Sequence, residues 1–325
     1  MQGYGRGEAS MRGFPAVLTV FLLAWSVLTI SAHFPGSPPA PRPILSSDGI
    51  SYPCLPADEM LVSNGVPLKK LPTADPASAL EMLHVHFINV GKGDAILIDQ
   101  GETEILIDGG RELPGIVDYL CHYVDGPLDV MIATHPHDDH IGGLIEVLAE
   151  FDVGEIWHNG EEIDRRLSGK FKKALEAERA DTFVARLGDT IELGELVFRV
   201  VNPANLDGST NDNSIVLIFS YGSMDFLFTA DIEKPAEYRM IDQTLFPIGQ
   251  VEILKVAHHG LTASSSPEFL QMVRPVVAIV MANHPENRPT LETLNGMGVD
   301  VYMTSENGTI VVDTDGNKFT VRCEL

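Results

Sequence analysis

Cysteine and positive charge are what this chain has least of. Its 325 residues include only three cysteines, Cys54, Cys121 and Cys323. They lie too far apart for a zinc-ribbon spacing and, being odd in number, allow at most one intramolecular disulfide. Lys and Arg number 22 against 46 Asp and Glu, a formal charge of -24. Such a surface repels polyanions at long range, which disfavours a general nucleic-acid-binding face. It does not exclude a nuclease, because bound divalent cations reverse the local field in a site. A phosphate loop is also missing, since Gly91-Lys92-Gly93 is too short for one and reads as a turn. No cysteine closely follows the N-terminal apolar segment, and Arg6 and Arg12 are not adjacent. Neither lipoprotein attachment nor a twin-arginine signal is therefore indicated. The 44% hydrophobic content is enough for one large domain or two ordinary ones.

Arg6 and Arg12 precede an apolar stretch over residues 14–30 that ends at Ser31-Ala32. This pattern predicts a secretory signal peptide cleaved after Ala32 or, because the stretch is nearly long enough to span a bilayer, an uncleaved anchor. Residues 1–32 are thus a signal peptide or anchor in this reading, and the rest of the chain is extracytoplasmic, either secreted or membrane-anchored. A membrane is a partner only if the leader stays attached. Ten prolines between Pro35 and Pro76, with no sustained apolar period, make residues 33–82 a linker or surface arm. The folded domain is expected over 83–325.

That domain opens with a meander of three short strands over residues 84–107. His84 and His86, on one face of the first strand, read as packing residues rather than ligands. Helices are expected over 113–124, 143–151 and 165–179, the last with a solvated, charged face. Between the first two, an apolar strand runs into Thr134-His135-Pro136-His137-Asp138-Asp139-His140 and then Ile141-Gly142-Gly143. Three imidazoles and two carboxylates thus fall within six residues at a strand-to-helix turn, where α/β proteins bind ligands. Imidazole with carboxylate suits zinc, with manganese or iron as possible occupants. Three later strands deliver ligand-type side chains at their ends: Asp231 after 226–229, His258-His259 after 253–257, and His284 after 276–281. The last strands, over 301–304, 309–312 and 319–322, are expected to finish the second sheet, with hairpin-type turns at Asn307-Gly308 and Asp315-Gly316.

The set His135-x-His137-x-Asp139-His140, Asp231, and the strand ends at His258 and His284 resembles the metallo-β-lactamase superfamily, over about residues 83–325. Within that family Asn89-Val90-Gly91-Lys92-Gly93-Asp94-Ala95, Ile107-Asp108-Gly109-Gly110, Asn213-Ser214 and Lys255-Val256-Ala257-His258-His259-Gly260 resemble the extracellular hydrolase domain of competence-type DNA-uptake channel (ComEC/Rec2-like) proteins. The polytopic channel portion of those proteins is absent from this sequence. The resemblance implies an α/β fold, a four-layer αββα sandwich with metals at one edge. It implies one or two Zn ions, with Mn or Fe as alternatives: His135 and His137 on metal one, Asp139 and His140 on metal two, Asp231 bridging, and His284 completing metal two. His258 is a further ligand or a proton donor. His259 is the other candidate proton donor, or with Asp138 orients a ligand. The family's usual third histidine on metal one has no counterpart, and Asn213, Asn211, His158 and His258 are the candidates for its place. The implied activity is metal-dependent hydrolysis by a metal-activated hydroxide, with a small-molecule or polymer ester as substrate and a nucleic acid as substrate only. The leading reading is a phosphodiesterase or nuclease-like enzyme. The alternatives are an acyl hydrolase acting on a lactone, thioester or β-lactam, and a non-catalytic secreted binding module.

Overall fold

The computed structural model describes residues 80–325 except 113–114, 243–248, 283 and 325. It also describes two short antiparallel strands nearer the N-terminus, β1 (Ile44–Ser46) and β2 (Gly49–Ser51). The expected leader, residues 1–32, and most of the expected arm lie outside the described residues. Among the described residues no helix is long and apolar enough to cross a membrane.

Alternation along the strands builds the layers. In β3 (Leu83–Phe87) the odd-numbered Leu83, Val85 and Phe87 face a core shared by both sheets, since successive strand residues point to opposite sides. β4 (Ile96–Gln100) and β5 (Thr103–Ile107) follow antiparallel and add Ile96, Ile98, Ile105 and Ile107 to that core. From β5 onward the sheet is parallel through β6 (Leu128–Ala133), β7 (Val153–His158) and β8 (Asp181–Val184). Its outer face, with Leu97, Leu106 and Met131, packs under α1 (Ile116–Leu120), α3 (Leu144–Glu150) and α4 (Arg166–Ala177).

The second sheet repeats the plan. β9 (Thr190–Leu193), β10 (Leu196–Asn202), β11 (Val216–Tyr221) and β12 (Met224–Phe228) are antiparallel. β13 (Ile253–Lys255), β14 (Val277–Val280) and β15 (Asp300–Met303) then continue in parallel. Its inner face contributes Phe198, Phe219 and Phe226, all fully buried, each stabilising the fold by about 1.5–3 kcal/mol. The outer face is covered by α5 (Lys234–Asp242), α6 (Pro267–Val273) and α7 (Arg288–Gly296). The result is the expected αββα sandwich, with a 7-stranded and an 8-stranded sheet.

Several local expectations change. The helix expected over 113–124 is the shorter α1, with residues 113–114 outside the described set. The expected helix after the glycine pair is present as α3, and an additional short helix precedes it inside the histidine motif: α2 (Asp138–Ile141) has His137 at its N-cap, so Asp139 and His140 occupy its first turn. β9 had no clear signal in the sequence. The tail is the largest correction. β15 ends the 7-stranded sheet, and the short helix α8 (Thr304–Asn307) then carries the chain across to β16 (Thr309–Thr314), which pairs with β3, and β17 (Phe319–Glu324). Asn307-Gly308 is therefore part of a sheet-to-sheet crossing and not a hairpin. β16 and β17 complete the first sheet, because β16 finds its partner more than 200 residues earlier, where no local turn signal can point.

Candidate metal centre

Both sheets place the carboxyl ends of their parallel strands at one edge, and the ligand-type side chains leave from there. Backbone geometry marks the same edge. Left-handed φ values occur at Asp108 after β5 (57°), Ala230 after β12 (45°), His258 and His259 after β13 (49° and 56°) and Ala282 after β14 (71°). Each such non-glycine residue costs about 1–3 kcal/mol, a strain that concentrates at functional sites.

The turns converge on Asp231, which is buried. Four imidazole nitrogens surround its Oδ2: His140 Nε2 at 3.2 Å, His259 Nε2 at 3.5 Å, His258 Nε2 at 3.8 Å and His135 Nε2 at 4.0 Å. His137 Nδ1 lies 3.0 Å from His135 Nε2. Donors held tetrahedrally at about 2.0–2.1 Å from a common ion stand about 3.3–3.4 Å apart, a separation that the observed spacings of 3.0–4.0 Å bracket. Buried His140 Nε2, His259 Nε2, Asp231 Oδ1 and Asp94 Oδ1 have no hydrogen-bond partner among the described residues. Orphaned buried donors and acceptors are costly unless something unites them, so the set fits a divalent cation.

The surrounding groups orient these rings. His140 Nδ1 donates to Asp108 Oδ2 at 2.7 Å, and Asp108 is held in turn by Thr134 through its backbone N at 2.8 Å and its Oγ1 at 2.6 Å. His259 Nδ1 donates to the Met281 carbonyl at 2.9 Å. In both rings this leaves Nε2 toward Asp231, the arrangement that fixes a ligating histidine. Beneath them the fully buried Lys255 ammonium is ion-paired with Asp94, donates to the Ala230 carbonyl at 2.7 Å and lies 3.7 Å from Asp231 Oδ1.

The electrostatics ask for positive charge. Burial opposes the charged forms of both Asp231 and His140, yet their mutual attraction, with His259 acting on Asp231 and Asp108 on His140, dominates. Asp231 is held well below the usual carboxylate range, and His140 is raised well above the usual imidazole value. Burial also works against the charged Asp94, but Lys255 more than offsets it and lowers that carboxyl. His135, His137 and His258 go the other way, lowered first by burial, so they are neutral at pH 7 and free to donate a lone pair.

Of the residues singled out in the sequence, the structure brings together His135, His137, His140, Asp231, His258 and His259. Asp139 lines the cavity above them, its Oδ2 3.2 Å from Lys92 Nζ. His284 sits on the same cavity wall, where its Nδ1 accepts from the Glu286 backbone N at 3.3 Å. Among the described residues it joins no close ligand group, whereas His259 does so with Asp94 and Asp231. The positional candidates for the missing ligand separate clearly. Asn213 is tied to the Gly208 backbone and Glu161, and His158 Nδ1 accepts from Gly160 N. Asn211 reaches the centre, with Nδ2 3.5 Å from His258 Nε2 and a buried, unpartnered Oδ1. Asp94, Asp108 and Lys255 lay within segments noted for their resemblance but carried no assigned role. Lys255 had one available signal, a cation inside an otherwise apolar strand.

The sequence model of the metallo-β-lactamase superfamily matches residues 88–284. The chain is 27% identical over 252 residues to ComE operon protein 3 of Bacillus subtilis, covering 70% of this chain and 32% of that protein. It is 30% identical over 205 residues to Recombination protein 2 of Haemophilus influenzae, covering 60% of this chain and 24% of that one. It thus spans about a third and about a quarter of the lengths of these two relatives. Among solved structures, the metallo-β-lactamase fold protein YhfI of Bacillus subtilis superposes with a TM-score of 0.51 at 14% identity, over 72% of this chain and 100% of that one.

Proposed function

The chain belongs to the metallo-β-lactamase superfamily and is a metal-dependent hydrolase; from that premise we propose that it hydrolyses phosphodiesters outside the cytoplasm, with a nucleic acid as substrate class and zinc as the resident ion. One observation carries the reading. The assembly of buried Asp94, Asp108, Lys255 and His259 with half-buried His258 around Asp231 is built from the segments that resemble the DNA-uptake hydrolase domains, and one relative of similar sequence is named for recombination.

His135, His137, His140, Asp231 and His259 would hold the ion, with Asp139 and Asn211 facing it from the cavity. When bound there, a divalent cation would supply Lewis acidity, lowering the pKa of a water to about 7 and offsetting negative charge on a phosphoryl group. Asp108 and the Met281 carbonyl keep the two most buried rings in register, and Lys255 balances the paired charge of Asp94 and Asp231. His258 is the proton carrier. It lines the cavity, burial keeps it neutral, and its Nδ1 faces Glu233 Oε1 at 3.3 Å. Hydrolysis forms a bond from the water oxygen to phosphorus and breaks the bond from phosphorus to the leaving oxygen. His258 takes the proton released by the water and returns it to the leaving oxygen, with Glu233 steadying the imidazolium between the two transfers. His259 is poorly placed for that task, since it is buried and its Nδ1 is committed to Met281.

The test is turnover of a chromogenic phosphodiester and of single- and double-stranded DNA by metal-loaded protein, with Asp139→Ala as a silent control. Absence of turnover on all three substrates overturns the reading, as do lactone or nitrocefin rates far above the phosphodiester rate.

A further inference from the structure

The cavity above Asp231 measures about 280 Å³ and is lined by Lys92, Arg111 and Arg165 in addition to the ligand-type residues. In a chain of charge -24, this is an unusual place to gather cations. Each is held by backbone that the metal centre itself fixes. At Gly93 an added Cβ would come within 1.9 Å of the Asp139 carbonyl, and Asp94 N donates to that same carbonyl, so the turn carrying Lys92 is pressed onto the motif helix. At Gly142 an added Cβ would meet Glu112 N at 2.4 Å and Arg111 C at 2.8 Å, which seats Arg111 against the end of α2. Arg165 is the N-cap residue of α4, which packs against α2.

Lys92 is paired with Asp139. Arg111 and Arg165 have no carboxylate partner among the described residues. The acid beside them, Glu112, is already engaged by Arg166 at 2.7 Å and Lys170 at 2.5 Å. Two exposed guanidinium groups are thus left without counter-charge at the mouth of an acidic centre. Distance decides which field a substrate meets. At physiological ionic strength the Debye length is about 8 Å, so the distributed negative surface is largely screened while cations in contact with the bound anion are not.

We infer that Arg111 and Arg165 bind the non-scissile phosphates of a single-stranded polynucleotide whose scissile phosphate lies over Asp231, and that they set the preference for a strand over a small phosphodiester. The inference rests on the phosphodiester reading above. A planar guanidinium suits phosphate through two parallel N–H donors, and an unpaired one has no local bond to give up before binding. The cavity is of small-molecule size, admitting one unit of a strand and excluding a duplex.

The experiment compares wild type, Arg111→Gln/Arg165→Gln and a charge-matched control, Arg179→Gln/Lys318→Gln, whose two residues are exposed elsewhere. Each is assayed on a single-stranded DNA dodecamer and on bis(p-nitrophenyl) phosphate, with KM for the single strand followed against salt and compared, for wild type, with KM for the corresponding duplex. The expected result for the rim variant is a rise of about tenfold in the ratio of dodecamer KM to small-substrate KM. Its log KM against log salt slope should also fall by about 1.4, the loss of two single-strand phosphate contacts. A rim variant indistinguishable from the control in ratio and slope, on an enzyme that cleaves both substrates, overturns the inference and leaves the phosphodiester reading standing. Wild-type protein that cleaves neither substrate overturns both, and a duplex KM below the single-strand KM overturns the strand assignment.

Discussion

On β3, His84 Nδ1 is paired with Asp313 Oδ1 at 2.5 Å, and His86 Nδ1 shares a 2.8 Å hydrogen bond with the Tyr119 hydroxyl. The histidines of the sheet edge are built differently: their rings are tied from behind, by Asp108 or the Met281 carbonyl, and their free nitrogens meet around one carboxylate oxygen. Burial does not separate the two groups, since His86 and His140 are both buried and each leaves Nε2 without a partner. Convergence separates them. The free nitrogen of His86 stands alone in an aromatic setting, with the Tyr123 ring 4.5 Å away by centroid. The free nitrogens at the edge share Asp231 as a common neighbour. A lone orphaned nitrogen is a local cost, whereas several aimed at one anion make a cation site.

The comparison can be broken most decisively at Asp231. Asp231→Asn should lower kcat/KM by about 10³-fold or more and reduce bound metal measured by elemental analysis, because it removes the anion all four rings share. Wild-type metal content in this variant would disprove the convergent site. One layer out, Asp108→Asn should weaken metal affinity by about 10–100-fold in a chelator competition, since it disturbs the His140 tautomer without removing a ligand. In the same assay His259→Ala should lose more affinity than His284→Ala, and the reverse order would restore His284 to the ligand role that its sequence position suggested.

The β3 pair should answer through stability instead. Burial, followed by the nearby His84 and Arg322 charges, lowers the His86 pKa from 6.5 to about 4. Between those values the unfolded chain takes a proton that the folded one refuses, so stability is complete above pH 6.5 and falls as the pH drops toward 4. The loss at pH 5 should be about 2 kcal/mol in urea unfolding, and His86→Phe should flatten that slope. A pH-independent wild type between pH 7 and 5 would contradict this. The smallest effect belongs to His84, whose side chain is 36% exposed. His84→Gln should change stability by less than about 1 kcal/mol at pH 7, as for other solvent-exposed ion pairs.

The legibility of the site followed how local its information was. His135 to His140 announce themselves because five ligand-type side chains fall within six residues, and the strand before them is apolar. Asp94, Asp108 and Lys255 gave no comparable sign, since one acid beside glycines reads as a turn and one lysine as a surface charge. Their meaning comes from pairing: β5 beside β6 sets Asp108 against His140, and β12 beside β13 sets Lys255 next to Asp231. The sequence offers His259 as a proton donor or a ligand-orienting residue, and only the left-handed backbone at His258 and His259 turns the two rings to the same carboxylate.

Sequence by itself determined the alternation that gives the strands apolar faces, the metal-ligand side chains of the central motif and the position of that motif. Those properties reside in periodicity and in side-chain type, which are local. The tertiary structure alone decided that Asp231 is the hub, that β16 returns to the first sheet and that Arg111 and Arg165 stand over the centre without a carboxylate partner among the described residues. Each of these depends on which distant strands pair and which charges are thereby used up, and that is settled by the packing of the whole chain.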